Sequence, residues 1–365
     1  MPVGSAREDA TAATISQVAA AAGVSRATVS RVMNGRATVA PELAERVRAA
    51  AAALGYSPSP VARSLALGRT STVAFVVPDL SNPVFQSVLR GLGQAAAKEG
   101  HRLIVAESNE DPAEETLLAV EIRRRVDGIV LAASRLPDDE LAELVPRLEP
   151  VVLVNREVPG LDVPSLSVDH RAGVRDLAAH LFELGHSRLV YLAGPQASSS
   201  DRERLHGLRA AVCDTAGAEL VELRCGSGFA DGQAAVPAVV ACGASGVVAY
   251  NDLVAFGALS GLHELGIAVP EQISVVGFDD IPFARYTTPP LTTASVPQFD
   301  LGEQAWQRLW ALLQDGPPQH NVTYRPRLEV RGSTGPAPGA AGGEVTTSQV
   351  ADNRGPTVDP SPSAL

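Results

Sequence analysis

The sequence predicts an α/β protein that carries a short all-α head, and three observations point there. From Thr72 onward, apolar runs of four to six residues alternate with longer amphipathic segments, the pattern of buried parallel strands joined by crossover helices. Before that, residues 14–55 show three short stretches of helical period, punctuated by Gly23, Asn34-Gly35 and Gly55. From Thr334 the chain is rich in Gly, Pro, Ala, Ser and Thr without an apolar period, which predicts a disordered tail over 334–365.

A chain of 365 residues suits two or three domains. Its 45% hydrophobic content is enough for sizeable cores, and 19% charged residues argue against global disorder. No apolar run approaches the roughly 18 residues of a membrane helix. Residues 1–13 lack the apolar stretch of a secretory signal and read as a disordered extension. Three cysteines (Cys213, Cys225, Cys242) form no C-x-x-C pair, an odd count that fits reduced thiols in the cytoplasm, used as buried small hydrophobes. The net charge of −11 hides an asymmetry. Residues 1–69 hold eight arginines against four acids, whereas the remainder holds 22 basic and 37 acidic residues. Only the head is suited to meet a polyanion.

In the head, Thr14 reads as an N-cap, with Ile15, Val18, Ala19 and Ala22 on one face of the first helix. Ser25 caps a second helix, Arg26 to Met33, which Asn34-Gly35 ends. A third begins at Pro41 and aligns Leu43, Val47, Ala50 and Leu54. In the second helix Val29, Val32 and Met33 face inward with Val24, leaving Arg26, Ala27, Ser30 and Arg31 outside. Such a face suits the major groove, because Arg forks to guanine O6 and N7 and small residues allow close approach. Thr14, Ser25, Thr28 and Asn34 lie at helix ends or flanks, where hydroxyls, amides and free N–H groups hold phosphates. On periodicity alone, a structural helical hairpin with solvated arginines explains the segment equally well.

In the body, strands are expected at 73–77, 103–106, 128–132, 151–155, 189–194, 246–250 and 273–278, with helices such as Val84 to Glu99 and Asp252 to Leu265 between them. So many units exceed one open sheet and predict two similar lobes. Catalytic signatures are missing: there is no phosphate-binding G-x-x-x-x-G-K-[ST] loop, no H-E-x-x-H and no G-x-S-x-G elbow. The seven histidines lack metal-ligand spacing, and Gly91 and Gly93 lie on a helix rather than after a strand. The expectation is a non-enzyme without cofactor or metal. Polar residues cluster instead at strand ends: Asn155-Arg156, Asp169, Asn251-Asp252 and Asp279-Asp280. Doubly wound sheets bind ligands there, and carboxylates, amides and a guanidinium together describe a polyol or sugar site. Any one of them is also explained as a helix N-cap, Asp252 and Asp280 most readily.

The wording of the head then decides between hairpin and reader. The stretch TISQVAAAAGVSRATVSRVMNG, continued by LAERVRAAAAALGYSPSPVARSL, resembles the DNA-binding head of the LacI/GalR family of bacterial transcription regulators. The resemblance implies a helix-turn-helix domain over 14–59, followed by a hinge helix and linker over 60–70. Arg26 and Ala27 match the pair that varies with operator sequence, and Arg31 matches a base-reading arginine. Leu65 matches the leucine wedged into the minor groove at the operator centre. Ala66 departs from the Lys or Arg that many relatives carry there.

The body resembles the same family through VPDLSNPVF (77–85), RRVDGIVL (124–131), ELGHSRLVYLAGP (183–195), NDLVAFGAL (251–259), VPEQISVVGFDD (269–280) and TPPLTT (288–293). This implies an effector-binding domain over 71–333 that looks like a periplasmic sugar receptor: an N-lobe of about 71–166 plus 298–325, and a C-lobe of about 169–293 plus 327–333. Effector contacts map to Phe85, Asn155, Asp169, Arg204, Asn251 and Asp279, and less securely to Phe229. Asn155 replaces the Asp of many sugar-responsive relatives, and Ser198 replaces the Arg of purine-responsive ones. A neutral sugar is favoured, while Arg156 leaves an acidic sugar or phosphate ester open. The expected protein is a cytoplasmic homodimer, without membrane contact, that represses from a pseudo-palindromic double-stranded operator until a small sugar-like effector releases it. The tail carries no leucine heptads, so no C-terminal helix bundle is expected.

Overall fold

The computed structural model describes residues 13–33, 39–57 and 68–339. The hinge segment Val61 to Leu67, with Leu65, lies outside the described residues, as do Asn34, residues 1–12 and 340–365.

Three helices form the head: α1 (Ile15–Ala22), α2 (Arg26–Met33) and α3 (Pro41–Ala53). Thr14 closes a capping box with Gln17, its N–H donating to Gln17 Oε1 at 2.7 Å. Gly23 ends α1 at φ 64°, a left-handed conformation that suits glycine. Ser25 Oγ accepts from Thr28 N–H at 3.1 Å and starts α2. Val18, Val29 and Val47 are fully buried where the helices meet. The α3 face differs from the sequence reading: Ala44, Val47 and Ala51 are buried, and Leu54 is 41% exposed. Five alanines at 49–53 carry no polar marker of the outer face, and Arg46, donating to Ala22 O at 2.6 Å, sets the rotation instead.

The body comprises two α/β units. The first gathers the described chain up to Asp169 with Gln196–Ser200 and Pro297–Tyr324; the second holds His170–Pro195, Asp201–Val296 and the described chain from Arg325. The first unit's strands are β1 (Thr72–Val77), β2 (Arg102–Glu107), β3 (Gly128–Ala132), β4 (Val151–Val154), β5 (Ser165–Val168) and β11 (Val322–Tyr324), in the order β11-β5-β4-β3-β1-β2, all parallel. Helices α4 (Pro83–Lys98), α5 (Pro112–Arg123), α6 (Asp138–Leu148) and α11 (Gln298–Leu313) pack on it. Strands β3 and β4 are wholly buried, as their unbroken apolar runs require.

The second unit's strands are β6 (Arg188–Ala193), β7 (Glu219–Arg224), β8 (Gly246–Ala249), β9 (Ser274–Asp279), β10 (Thr292–Ser295) and β12 (Arg327–Glu329), in the order β12-β10-β9-β8-β6-β7. Only the β10–β12 pair is antiparallel. Its helices are α7 (His170–Glu183), α8 (Ser199–Cys213), α9 (Phe229–Ala241) and α10 (Asp252–Glu264). The sequence reading missed β7, ELVELR, because this edge strand is charged and only half-buried rather than an apolar run.

The predicted tail begins too early. Ser333 is fully buried, and Ala337 N–H donates to Leu184 O at 2.8 Å, so the second unit uses the chain beyond Thr334 despite its Gly- and Pro-rich composition. The cysteines are also not buried as expected: Cys213 is exposed and the other two are half-buried. Among the described residues, no helix is long and apolar enough to cross a membrane, and no cluster of His, Cys, Asp or Glu could hold a metal ion.

Candidate functional site

On α2, Val29 and Val32 turn inward while Arg26, Ala27 and Arg31 are exposed. Ser30 and Thr28 are half-buried, and Thr28 Oγ1 lies 2.9 Å from Ser25 Oγ. Two capped helix starts, at Thr14 and Ser25, leave N–H groups and hydroxyls flanking this face. The arrangement presents two cations and a small-residue gap to a groove, with phosphate-binding groups beside them.

In the first α/β unit, Asn155 and Asp169 follow β4 and β5, neighbouring strands whose ends pair Val154 with Leu166. Asn155 N–H donates to Leu166 O at 2.6 Å and Asp169 N–H to Tyr324 O at 2.8 Å, which places both at the carboxyl end of the sheet. Asn155 sits at φ 54°, a left-handed conformation that Asn tolerates better than most residues. Phe85 lies in the first turn of α4 after β1, 6% exposed. Arg156 is tied within the first unit. It is 4% exposed and donates to Leu136 O at 2.9 Å and Asp138 Oδ1 at 2.6 Å. Beside it, Arg135 forks onto Glu110, while Glu115 accepts from Ser134 Oγ and from Arg135 N–H. Burial lifts the Glu115 carboxyl above its ordinary range, against these hydrogen bonds. Ser198 is likewise buried, 2.8 Å from Ser200 Oγ.

In the second unit the strand order reverses between β6 and β8, the switch point at which doubly wound sheets take ligands. Arg204, on α8 after β6, is 3% exposed and donates to Tyr250 O after β8. Its Nη2 lies 3.3 Å from Asp279 Oδ1 at the end of β9. The guanidinium carbon sits 3.8 Å above the Phe278 ring centroid and 4.9 Å from that of Tyr250. Burial pushes the Asp279 carboxyl up to about 6, against the pull of Arg204. A charged donor held against two aromatic rings therefore meets an acceptor that titrates near 6.

Asn251 is brought to the same strand ends but is committed locally. Its Oδ1 caps α10 by accepting from Val254 N–H at 2.8 Å, and its Nδ2 donates to Ser227 O at 3.0 Å. It thereby holds the turn before α9, where Phe229 stacks on Phe256 at 5.9 Å and stays 54% exposed. Asp252, read as a cap, has a different duty: it accepts from Ile281 N–H at 2.8 Å and Thr293 Oγ1 at 2.6 Å. Asp280 pairs with Arg331 at 2.6 Å. Sequence reasoning missed Tyr250 and Phe278, which read as strand residues, and Asp201, whose Oδ1 accepts from Tyr191 Oη and Gly194 N–H, both at 2.7 Å, one turn before Arg204.

A reading helix joined to paired α/β units of the periplasmic-binding-protein type defines the class: a DNA-binding regulator with a ligand-sensing core. Residues 14–59 match the model for bacterial regulatory proteins of the lacI family, and residues 178–334 match that for the periplasmic binding protein-like domain. The chain is similar to the HTH-type transcriptional repressor CytR of Escherichia coli (strain K12), with 32% identity over 305 residues, covering 82% of this chain and 89% of that protein. It is also similar to the lac repressor dimer bound to operator and the anti-inducer ONPF, with a TM-score of 0.79 and 27% identity, covering 89% of this chain and 100% of that one. The complex of the transcriptional regulator CelR with cellobiose superposes with a TM-score of 0.63 at 30% identity, covering 88% and 99% of the two chains. The protein belongs to the lacI family of bacterial regulatory proteins, whose similar members here are regulators rather than enzymes.

Proposed function

We propose that this protein is a cytoplasmic, homodimeric repressor that leaves a pseudo-palindromic DNA operator when a neutral sugar or sugar derivative binds. The observation that carries the reading is the union on one chain of an exposed Arg26, Ala27, Arg31 face with strand ends that set Arg204 against Asp279. The operator-bound lac repressor dimer and the cellobiose-bound regulator support both halves. Thr14, Ser25, Thr28, Ser30 and Asn34 hold the backbone, Arg26, Ala27 and Arg31 read bases, and Leu65 wedges the centre. Phe85, Asn155, Asp169, Arg204, Phe229 and Asp279 serve the effector. Asn251 acts by holding the turn that bears Phe229. Because Arg156 is already neutralised by Asp138, the neutral class of sugar is favoured over acidic or phosphorylated ones. Effector and operator then oppose each other through one coupling free energy, typically about 1–3 kcal/mol.

The test is fluorescence anisotropy on DNA upstream of the protein's own gene and on duplexes selected from a random library, across salt and a panel of neutral sugars. Selective binding abolished by one sugar supports the reading. Binding to every duplex alike, fading steeply with salt, would leave only the phosphate contribution and sink it. Arg31→Ala is expected to weaken selective binding by about 1–3 kcal/mol and relax one base position; an equal loss on all duplexes would reassign Arg31 to phosphate.

A further inference from the structure

Where the linker ends and the first unit begins, one carboxylate gathers the chain. Asp127 lies just before β3, with its side chain about 10% exposed. Its Oδ1 accepts from Thr70 N–H at 2.7 Å and Thr70 Oγ1 at 2.9 Å, and its Oδ2 accepts from Ser71 N–H at 2.8 Å. Its own N–H donates to Thr72 O at 2.7 Å. Ser71 is held at φ 50°, a conformation costly for a residue other than glycine, so the turn needs these bonds to persist. A second tie adjoins it: Arg69 Nη2 donates to Leu313 O, at the end of α11, at 2.9 Å. His101 faces the carboxylate, with Nε2 4.0 Å from Oδ2, too far for a hydrogen bond, and its ring packs on Trp306 and Trp310 of α11. Helix α11 itself starts where the chain returns from the second unit, at Pro297.

We propose that Asp127 is a positioning residue for operator binding: it clamps Thr70 and Ser71 and so fixes the direction in which the linker leaves the sensing unit. The proposal rests on the two-half-site operator reading given above. When one head of a dimer is bound, the second binds intramolecularly, at an effective concentration set by the geometry of its tether. A loose junction lowers that concentration without altering any contact a head makes with DNA. Sequence inspection offers no warning of this role, because Asp127 follows Arg123, Arg124 and Arg125 and reads as one more charge in a polar turn before a strand, while its partners lie 56 and 57 residues away.

The experiment uses full-length protein, duplexes selected on the wild type, and the same duplexes with one half-site scrambled. In Asp127→Asn the amide can keep the Thr70 contacts only by turning Nδ2 toward the Ser71 N–H, donor against donor, and the charge is lost. Affinity for the two-half-site duplex is expected to fall about tenfold, with half-site affinity held close to wild type and the thermal midpoint lowered by a few degrees at most. Thr70→Val, which removes a single hydroxyl, is expected to give a smaller loss that does not add to that of Asp127→Asn; it serves also should the first variant fold poorly. Equal losses on both duplexes, or no loss in either variant, would overturn the clamp. A wild type without preference for the two-half-site duplex would sink the operator reading and the clamp with it.

Discussion

The two α/β units share a winding, with β2-β1-β3-β4-β5 in one matched by β7-β6-β8-β9-β10 in the other. They also share a device for close helix packing. A Cβ on Gly91 of α4 would lie 2.1 Å from Phe299 O of α11, and one on Gly257 of α10 would lie 2.0 Å from Phe229 O of α9. They part at the carboxyl ends of their strands. The first unit closes its charges on itself, Arg135 on Glu110 and Arg156 on Asp138. The second sets Arg204 against the rings of Phe278 and Tyr250 and pairs it with Asp279. The lesson is that the fold is used twice, whereas the polar groups at the strand ends are arranged differently in the two copies.

The sharpest attempt to break that comparison is Arg204→Ala. It removes one partner of a buried pair and is expected to cost about 3 kcal/mol of stability, moderated because Asp279 can take up a proton. Sugar-induced release from DNA should disappear while DNA affinity stays intact. Release at an unchanged sugar concentration would remove Arg204 from the site. Next come Gly91→Ala and Gly257→Ala, each expected to lower stability by about 1–3 kcal/mol through overpacking, seen in thermal or denaturant melts. Similar losses would sharpen the structural likeness, while only Gly257→Ala, which pushes against the Phe229 carbonyl, should also weaken the sugar response.

A pH series follows in size. Asp279 titrates near 6 in the folded chain, above its ordinary value. An effector that needs an ionised acceptor should lose about tenfold in affinity per unit of pH below that value, by calorimetry. The sign for folding is opposite. Because the folded state binds the proton more tightly, this group's contribution is fully present below the ordinary aspartate range and is lost as pH rises through about 6. A flat sugar affinity from pH 7 to 5 would show that the effector needs no ionised acceptor at Asp279. The smallest effect is expected from Arg156→Gln, about 1 kcal/mol in a melt through its bonds to Leu136 and Asp138, with no change in sugar response. A changed response would reopen charged effectors.

Much of this was legible because local rules suffice for it. Thr14 and Ser25 cap helices through bonds that span three residues, and the runs at 128–132 and 151–154 are apolar throughout because both faces of those strands are covered. The rotation of α3 was not legible, since a run of five alanines has no sidedness and Arg46 reaches back 24 residues to set it. Arg156 left an acidic or phosphorylated effector open because nothing adjacent in sequence announces Asp138 as its partner. Asn251 was legible as a strand-end amide, but not as the residue whose side chain spans the cap of α10 and the turn before α9.

Read alone, the chain specifies the all-α head, its reading helix, the alternating strands and helices, and the strand ends at which ligand chemistry belongs. Those features follow from periodicity, capping and the breaks at Gly and Pro, which act within a few residues. Tertiary structure decides which polar groups at those ends are already consumed and which remain poised. Arg204 meets Asp279 across 75 residues, and Asp127 seizes Thr70 across 57. Whether a buried charge is a ligand contact or a structural tie depends on partners that only folding brings within about 3 Å.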